Sequence, residues 1–141
     1  MIPLWYHLSM IRSINKETDV AILVLQYIAK KKELVTVTEL TKKFKVQRPF
    51  LRKVLQILAK NGVLKSIKGK NGGFMLEKNP EEISIFDIVK IFQNGFEFLN
   101  CVDENGKECI LIKTCKLRQK LLKLEEMMKD EFVNTSIFEL I

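Results

Sequence analysis

Between residues 15 and 31 the apolar side chains Val20, Leu23, Val24, Tyr27 and Ile28 recur at i, i+3, i+4, i+7 and i+8, which predicts one inward stripe on an α-helix. Asn15 or Thr18 is placed to cap it. Glu17 and Asp19 suit the positive end of the helix dipole, and Lys30-Lys31-Lys32 suit the negative end. Thr36-Val-Thr-Glu39 has the spacing of a capping box and predicts a short helix to about Lys43, after which Phe44-Lys45-Val46 turns the chain. A third helix follows, with Pro49 tolerated in its first turn and Leu51, Val54, Leu55 and Leu58 facing inward. Asn61-Gly62 ends it, glycine supplying the left-handed conformation common at a helix terminus.

From residue 63 the period changes. Val63-Leu64-Lys65-Ser66-Ile67 and Phe74-Met75-Leu76-Glu77 read as two strands joined by Lys68-Gly69-Lys70-Asn71-Gly72-Gly73. A nucleotide-cradling loop is excluded, because the glycines lack the Walker spacing and a strand, not a helix, follows. Asn79-Pro80 breaks the chain. Ser84-Ile-Phe-Asp87 then caps a helix to Asn94-Gly95, with Ile85, Ile88, Val89 and Phe92 apolar, and Phe96, Phe98 and Leu99 lead onward. From Lys116 to about Asn134, Leu117, Leu121, Leu124 and Met128 repeat with the spacing of a coiled-coil seam, widened by Leu122, Met127 and Phe132. At 1.5 Å per residue that helix is roughly 28 Å long, more than so small a domain can cover, so a homodimer contact is expected. Ser136 starts a last short turn.

The expected fold is mainly α with a small β-hairpin: a winged helix-turn-helix followed by a long C-terminal dimerisation helix. Residues 1–10 read as an N-terminal extension, 11–95 as the winged helix-turn-helix, 96–115 as a cysteine-bearing loop and 116–141 as the dimerisation helix and tail. The opening segment is apolar, but no basic residue precedes the apolar run and no cleavage site follows. It makes a poor secretory signal, and Met10 could equally be the start. No window approaches the uninterrupted apolar length of a membrane span, and a cytoplasmic location is expected.

Charge sharpens this picture. Residues 30–70 hold thirteen lysines and arginines against Glu33 and Glu39, a balance of +11 within a whole-chain charge of +7, so the remainder carries −4. Such concentration is the electrostatic footprint of a phosphate-backbone binder, although a solvated lysine-rich surface has the same composition. The second helix of the pair would read double-stranded DNA, presenting Gln47, Arg48, Pro49, Arg52, Lys53 and Gln56, with Thr38 on the helix before it. The hairpin would be the wing, offering Ser66, Lys68, Lys70 and Asn71 to phosphates or a minor groove. A two-fold dimer of such heads implies a pseudo-palindromic operator. A winged helix used only for protein contacts is the competing use of the same pattern.

All three cysteines, Cys101, Cys109 and Cys115, lie in one fifteen-residue stretch between the basic half and the long helix. In a reducing compartment an odd number of thiols argues for metal or redox chemistry over a disulfide framework. Three thiolates suit iron–sulfur, or zinc with a fourth partner; a thiol redox switch or structural cysteines are the alternatives. The stretch is polar and contains glycine, which disfavours burial of the thiols as small hydrophobes. An enzyme is disfavoured, for the single histidine, His7, lies in the extension and no paired carboxylates mark a cleft.

The segments Thr18-Asp19-Val-Ala-Ile-Leu-Val-Leu25, Phe50-Leu-Arg-Lys-Val-Leu-Gln-Ile-Leu58, Asn61-Gly-Val-Leu-Lys-Ser-Ile-Lys-Gly69 and Gly72-Gly73-Phe74, with the cysteine triplet before a long helix, resemble the iron–sulfur winged-helix regulators of the Rrf-two family over about residues 11–141. The resemblance implies a repressor whose grip on its operator depends on an iron–sulfur cluster, 4Fe–4S foremost and 2Fe–2S as the alternative. Three cysteines leave one ligand to find. The IscR-like branch uses a histidine shortly after the third cysteine, where this chain has Lys116-Leu117-Arg118. The nitric-oxide-sensing NsrR-like branch uses an aspartate early in the first helix, given by the other subunit, and Asp19 matches that position. It implies Cys101, Cys109, Cys115 and Asp19 as ligands, with Asp103, Glu104 and Glu108 as further oxygen donors and Asp19 as a helix-end charge as its plain alternative. Three departures stand out: seven residues separate Cys101 from Cys109 where the family has five, Arg52 stands where relatives often have Glu, and Lys68 where the wing often has Arg. The operator sequence is therefore not inherited from a relative.

Overall fold

The computed structural model describes residues 14–96, 105 and 107–141. The readings on the extension with His7 and Met10, and those on Phe98, Leu99, Cys101, Asp103 and Glu104, lie outside the described residues. In chain order the elements are α1 (Lys16–Lys31), α2 (Val37–Phe44), α3 (Arg48–Lys60), β1 (Leu64–Ile67), β2 (Gly73–Leu76), a 3-10 turn (Pro80–Glu82), α4 (Ile85–Gln93), α5 (Lys116–Asn134) and a closing 3-10 turn (Phe138–Leu140).

Helix α1 starts where Asn15 Oδ1 accepts the Thr18 N–H at 2.8 Å and ends at Lys32 in the left-handed region, φ 57°. Val20, Ala21, Val24, Leu25, Ile28 and Ala29 are buried, while Leu23 is 39% exposed. The expected stripe is therefore corrected at Leu23. Residues 20 to 25 are apolar throughout, so no polar position marks the outward side, and Ala21 and Leu25 take the inward one. Helix α2 is capped by Thr36 Oγ1, which accepts the Glu39 N–H at 3.1 Å. The other half of the expected capping box is absent among the hydrogen bonds at this end, because the Glu39 carboxylate accepts from the Tyr27 hydroxyl at 2.6 Å and from Lys31. A tertiary contact has outcompeted the local one. In α3, Leu51, Val54, Leu55 and Leu58 are fully buried as expected, and Pro49 occupies the first turn.

The hairpin pairs Leu64 with Leu76 and Ile67 with Gly73, antiparallel. Val35, just before α2, exchanges two backbone hydrogen bonds with Phe74, at 2.9 and 2.8 Å, and ties the wing to the helical body. A Cβ on Gly73 would stand 2.6 Å from the Val35 carbonyl oxygen, so this approach requires glycine.

Helix α4 opens with a complete capping box between Ser84 and Asp87 and buries Ile85, Ile88 and Val89. Helix α5 buries none of its residues within one chain. It rests on α4 through rings: Phe132 lies 5.2 Å from Phe96, which lies 6.3 Å from Phe86. After α5 the chain returns to the body. Thr135 carbonyl accepts the Ile85 N–H at 2.9 Å, Ile137 N–H donates to the Ile83 carbonyl at 2.8 Å, and the Ile137 side chain is fully buried in the winged-helix core. Truncation to Ile137→Ala should cost about 2–5 kcal/mol in urea unfolding. A loss below about 1 kcal/mol would mean that the tail does not hold the body together.

Candidate nucleic-acid interface and cysteine segment

The inward Leu51, Val54, Leu55 and Leu58 fix which way α3 turns its polar side, and Gln47, Arg48, Pro49, Arg52, Lys53 and Gln56 are all exposed. The Arg48 guanidinium donates to Thr38 Oγ1, linking the exposed sides of α2 and α3. In the hairpin Ser66, Lys68, Lys70 and Asn71 are exposed around a turn closed by the Gly72 N–H on the Gly69 carbonyl at 3.0 Å. A Cβ on Gly72 would fall 2.2 Å from the Ile67 carbonyl oxygen, so the tip stays tight only with glycine there.

Glu39 is the acid of α2 within this basic region, and it is already engaged. Lys31 first, then the Tyr27 hydroxyl, hold its carboxyl below the ordinary value of 4.5. The same contact raises Lys31 above 10.5 and Tyr27 above 10.0, Glu39 being the foremost cause in each. The Lys43 ammonium lies 5.9 Å from the Tyr27 ring. The lowered carboxyl contributes stability that is complete above about pH 4.5 and lost as pH falls through its folded value; the raised groups contribute stability present below about pH 10 and lost as pH rises. Urea midpoints measured against pH should therefore show a plateau between these limits, and Glu39→Gln should flatten both shoulders. Shoulders unchanged in the variant would remove the contact between α1 and α2 from the pH response.

Of the expected metal ligands, Cys109 is exposed and Cys115 half-buried, both free thiols. A tight turn joins them: Ile112 N–H donates to the Cys109 carbonyl, and the Thr114 and Cys115 N–H groups donate to Leu111, all at 2.8–3.0 Å. Cys115 is the N-cap of α5, its Sγ accepting the Arg118 N–H at 3.4 Å. Asp19 is exposed in the first turn of α1, and Glu108 is exposed beside Cys109. Among the described residues, no three histidine, cysteine or acidic side chains of one chain gather into a metal site, so the structure does not bring Asp19 to the two cysteines within a single chain.

Sequence reasoning missed one constellation. The Gln93 Oε1 accepts the Asn15 N–H at 2.9 Å and stands 2.8 Å from Thr18 Oγ1, while the Asn15 side-chain amide donates to the Phe92 carbonyl at 3.2 Å. Thr18 is fully buried, the one polar member of the buried set among the described residues. These residues lie more than seventy positions apart, and no local spacing announces them.

The family model of iron-dependent transcriptional regulators, Rrf2, matches residues 14–141. The chain belongs to the Rrf2 family. An HTH-type transcriptional regulator of Aquifex aeolicus is 37% identical over 124 residues, covering 86% of this chain and 85% of that protein. The HTH-type transcriptional regulator NsrR of Shouchella clausii is 35% identical over 72% of this chain and 69% of its own length. Among solved structures, CymR, the global cysteine regulator of B. subtilis, superposes with a TM-score of 0.75 over 92% of this chain and 95% of that one, at 17% identity, a likeness of fold. The expected winged-helix fold holds, and this Rrf2 protein is a transcriptional regulator, not an enzyme. Among the described residues no helix is long and apolar enough to cross a membrane.

Proposed function

We propose that this Rrf2 protein is a homodimeric repressor that reads a pseudo-palindromic operator and whose grip is set by an iron–sulfur cluster, 4Fe–4S, responsive to nitric oxide. The observation that carries the reading is the placement of the thiols. Cys109 and Cys115 stand at the start of α5, a helix with no buried residue of its own, in a chain akin to NsrR. Leu117 is 60% exposed and Met127 58%, with Leu122, Leu124 and Val133 also exposed, and a second copy of the same helix is the natural cover for such a face.

The donor set fits the cofactor. Soft thiolates from Cys101, Cys109 and Cys115 would hold it, with the carboxylate of Asp19 of the partner subunit as the hard and weakest ligand. Bound there, the cluster would supply iron able to react with nitric oxide. The rest is the work of this chain. Cys115 caps α5, so a change at its sulfur is felt at the first turn of the helix between the subunits. Arg48, Arg52, Lys53, Lys68 and Lys70 hold phosphates, and Thr38, Gln47, Pro49, Ser66 and Asn71 fit against the groove. Two reading heads joined through α5 can grip a duplex only when their spacing matches its half-sites.

A second reading keeps the regulator and removes the cluster: a thiol- or zinc-based sensor, supported by the exposure of Cys109 and by the fold shared with a cysteine regulator. The visible spectrum of anaerobically purified protein separates the two. The cluster reading expects a brown sample whose absorbance is lost with nitric oxide, and an altered spectrum and response in Asp19→Ala. An identical spectrum and response would remove Asp19 from the ligand set; a colourless wild type would favour the second reading.

The duplex contact has its own test. The logarithm of affinity plotted against the logarithm of salt should be steep, and Arg52→Ala or Lys68→Ala should each lower the slope by about 1. Slopes identical to wild type would show that this face does not meet phosphates.

A further inference from the structure

The last turn of α4 runs directly into the cysteine segment, and its final residue, Gln93, faces two ways. Its Nε2 donates to the Gly95 carbonyl at 2.9 Å, just beyond the left-handed Asn94, so the residue that leads into the segment holds the amide. Its Oε1 accepts the N–H of Asn15, the residue that caps α1. At the next residue the Lys16 ammonium lies 4.8 Å over the Phe50 ring, between Pro49 and Leu51 in the first turn of α3. The side chains of Gln93, Lys16 and Phe50, joined through the Asn15 backbone, thus connect the end of α4 to the start of the reading helix.

The Thr18 hydroxyl can lose Gln93 without becoming a buried orphan. Thr18 Oγ1 has a single proton and stands 2.7 Å from Asn15 Oδ1 and 2.8 Å from Gln93 Oε1. If Gln93 withdraws, the buried hydroxyl keeps Asn15 as its acceptor and the desolvation penalty of an unpaired group is avoided. What Gln93 would give up on withdrawing is its bond from the half-buried Asn15 N–H, a contact modest enough to break and remake in a switch.

We infer that Gln93 is a positioning residue that carries the state of the cysteine segment to the first turn of α1, and through Lys16 and Phe50 to the reading helix. The inference rests on the reading that the cysteine segment governs DNA binding. It adds where the signal crosses: through the half-buried Gln93 amide and the buried Thr18 hydroxyl within each chain, besides any rearrangement between subunits.

The test uses the full chain purified without air and a duplex enriched from a random pool by the wild-type protein. Affinity is measured as isolated and after nitric oxide, and the ratio of the two is the readout. Wild type should give a ratio in the range of about 5–150 typical of coupled sites. Gln93→Ala should bring the ratio close to one, and Thr18→Val should lower it. Amide hydrogen exchange supplies a second readout: Thr18 and Asp19 should exchange at different rates in the two wild-type states and at the same rate in both states of Gln93→Ala. Gln93→Glu keeps the acceptor for Asn15 and loses the donor to Gly95. It should protect Thr18 as wild type does and still show a lowered ratio, which serves if the alanine variant folds poorly. A Gln93→Ala protein with the wild-type ratio, or with affinity lowered equally in both states, overturns the inference while the regulatory reading stands. A wild-type ratio of one overturns both.

Discussion

A helix of nineteen residues with leucines and methionines along it, none of them buried, is the constraint from which the rest of this molecule follows. Leaving such side chains in water forgoes about 1.5–3 kcal/mol for each large one. Among the described residues the body meets α5 through rings, Phe96 against Phe132 and Phe86 under Lys129, and it buries none of the helix fully. The remaining face needs another surface, and the thiols of Cys109 and Cys115 stand where that surface would begin. Under the proposed reading, the chemistry and the subunit contact therefore share one helix end.

The other end of α5 is fastened. Ile137 sits in the winged-helix core, and the backbone bonds of Thr135 and Ile137 fix it against Ile83 and Ile85. Motion at the cysteine end thus has a fixed pivot close to α4, whose far end carries Gln93. The acid of α2, meanwhile, is compensated, because Glu39 is engaged by Tyr27 and Lys31. Exposed Arg52, Lys53, Lys68 and Lys70 are left to act together on an anionic partner.

Much of this was legible in the sequence, and the exceptions share a cause. Helices α3 and α4 and the hairpin were readable because each has strong local punctuation: Pro49, Gly62, Ser84 with Asp87, and Gly72-Gly73. The long helix was legible from its spacing, and its lack of burial from the shortage of domain left to cover it. Leu23 was misplaced because an unbroken apolar run has no period to read. The capping box at Thr36 failed on Glu39, and the anchoring of Ile137 and the knot at Gln93 left no local trace, since all three depend on partners distant in the chain. Local pattern fixes elements; it is silent on which polar groups meet once the elements have packed.

The claim on which the account turns is that metal held by the cysteine segment decides whether the basic faces grip DNA. Iron and sulfide counted on an anaerobic sample, with duplex affinity measured on that same sample before and after chelation, test it most directly. The account predicts stoichiometric iron and sulfide and an affinity that collapses when they are removed. Iron-free protein that holds the duplex just as tightly would contradict it.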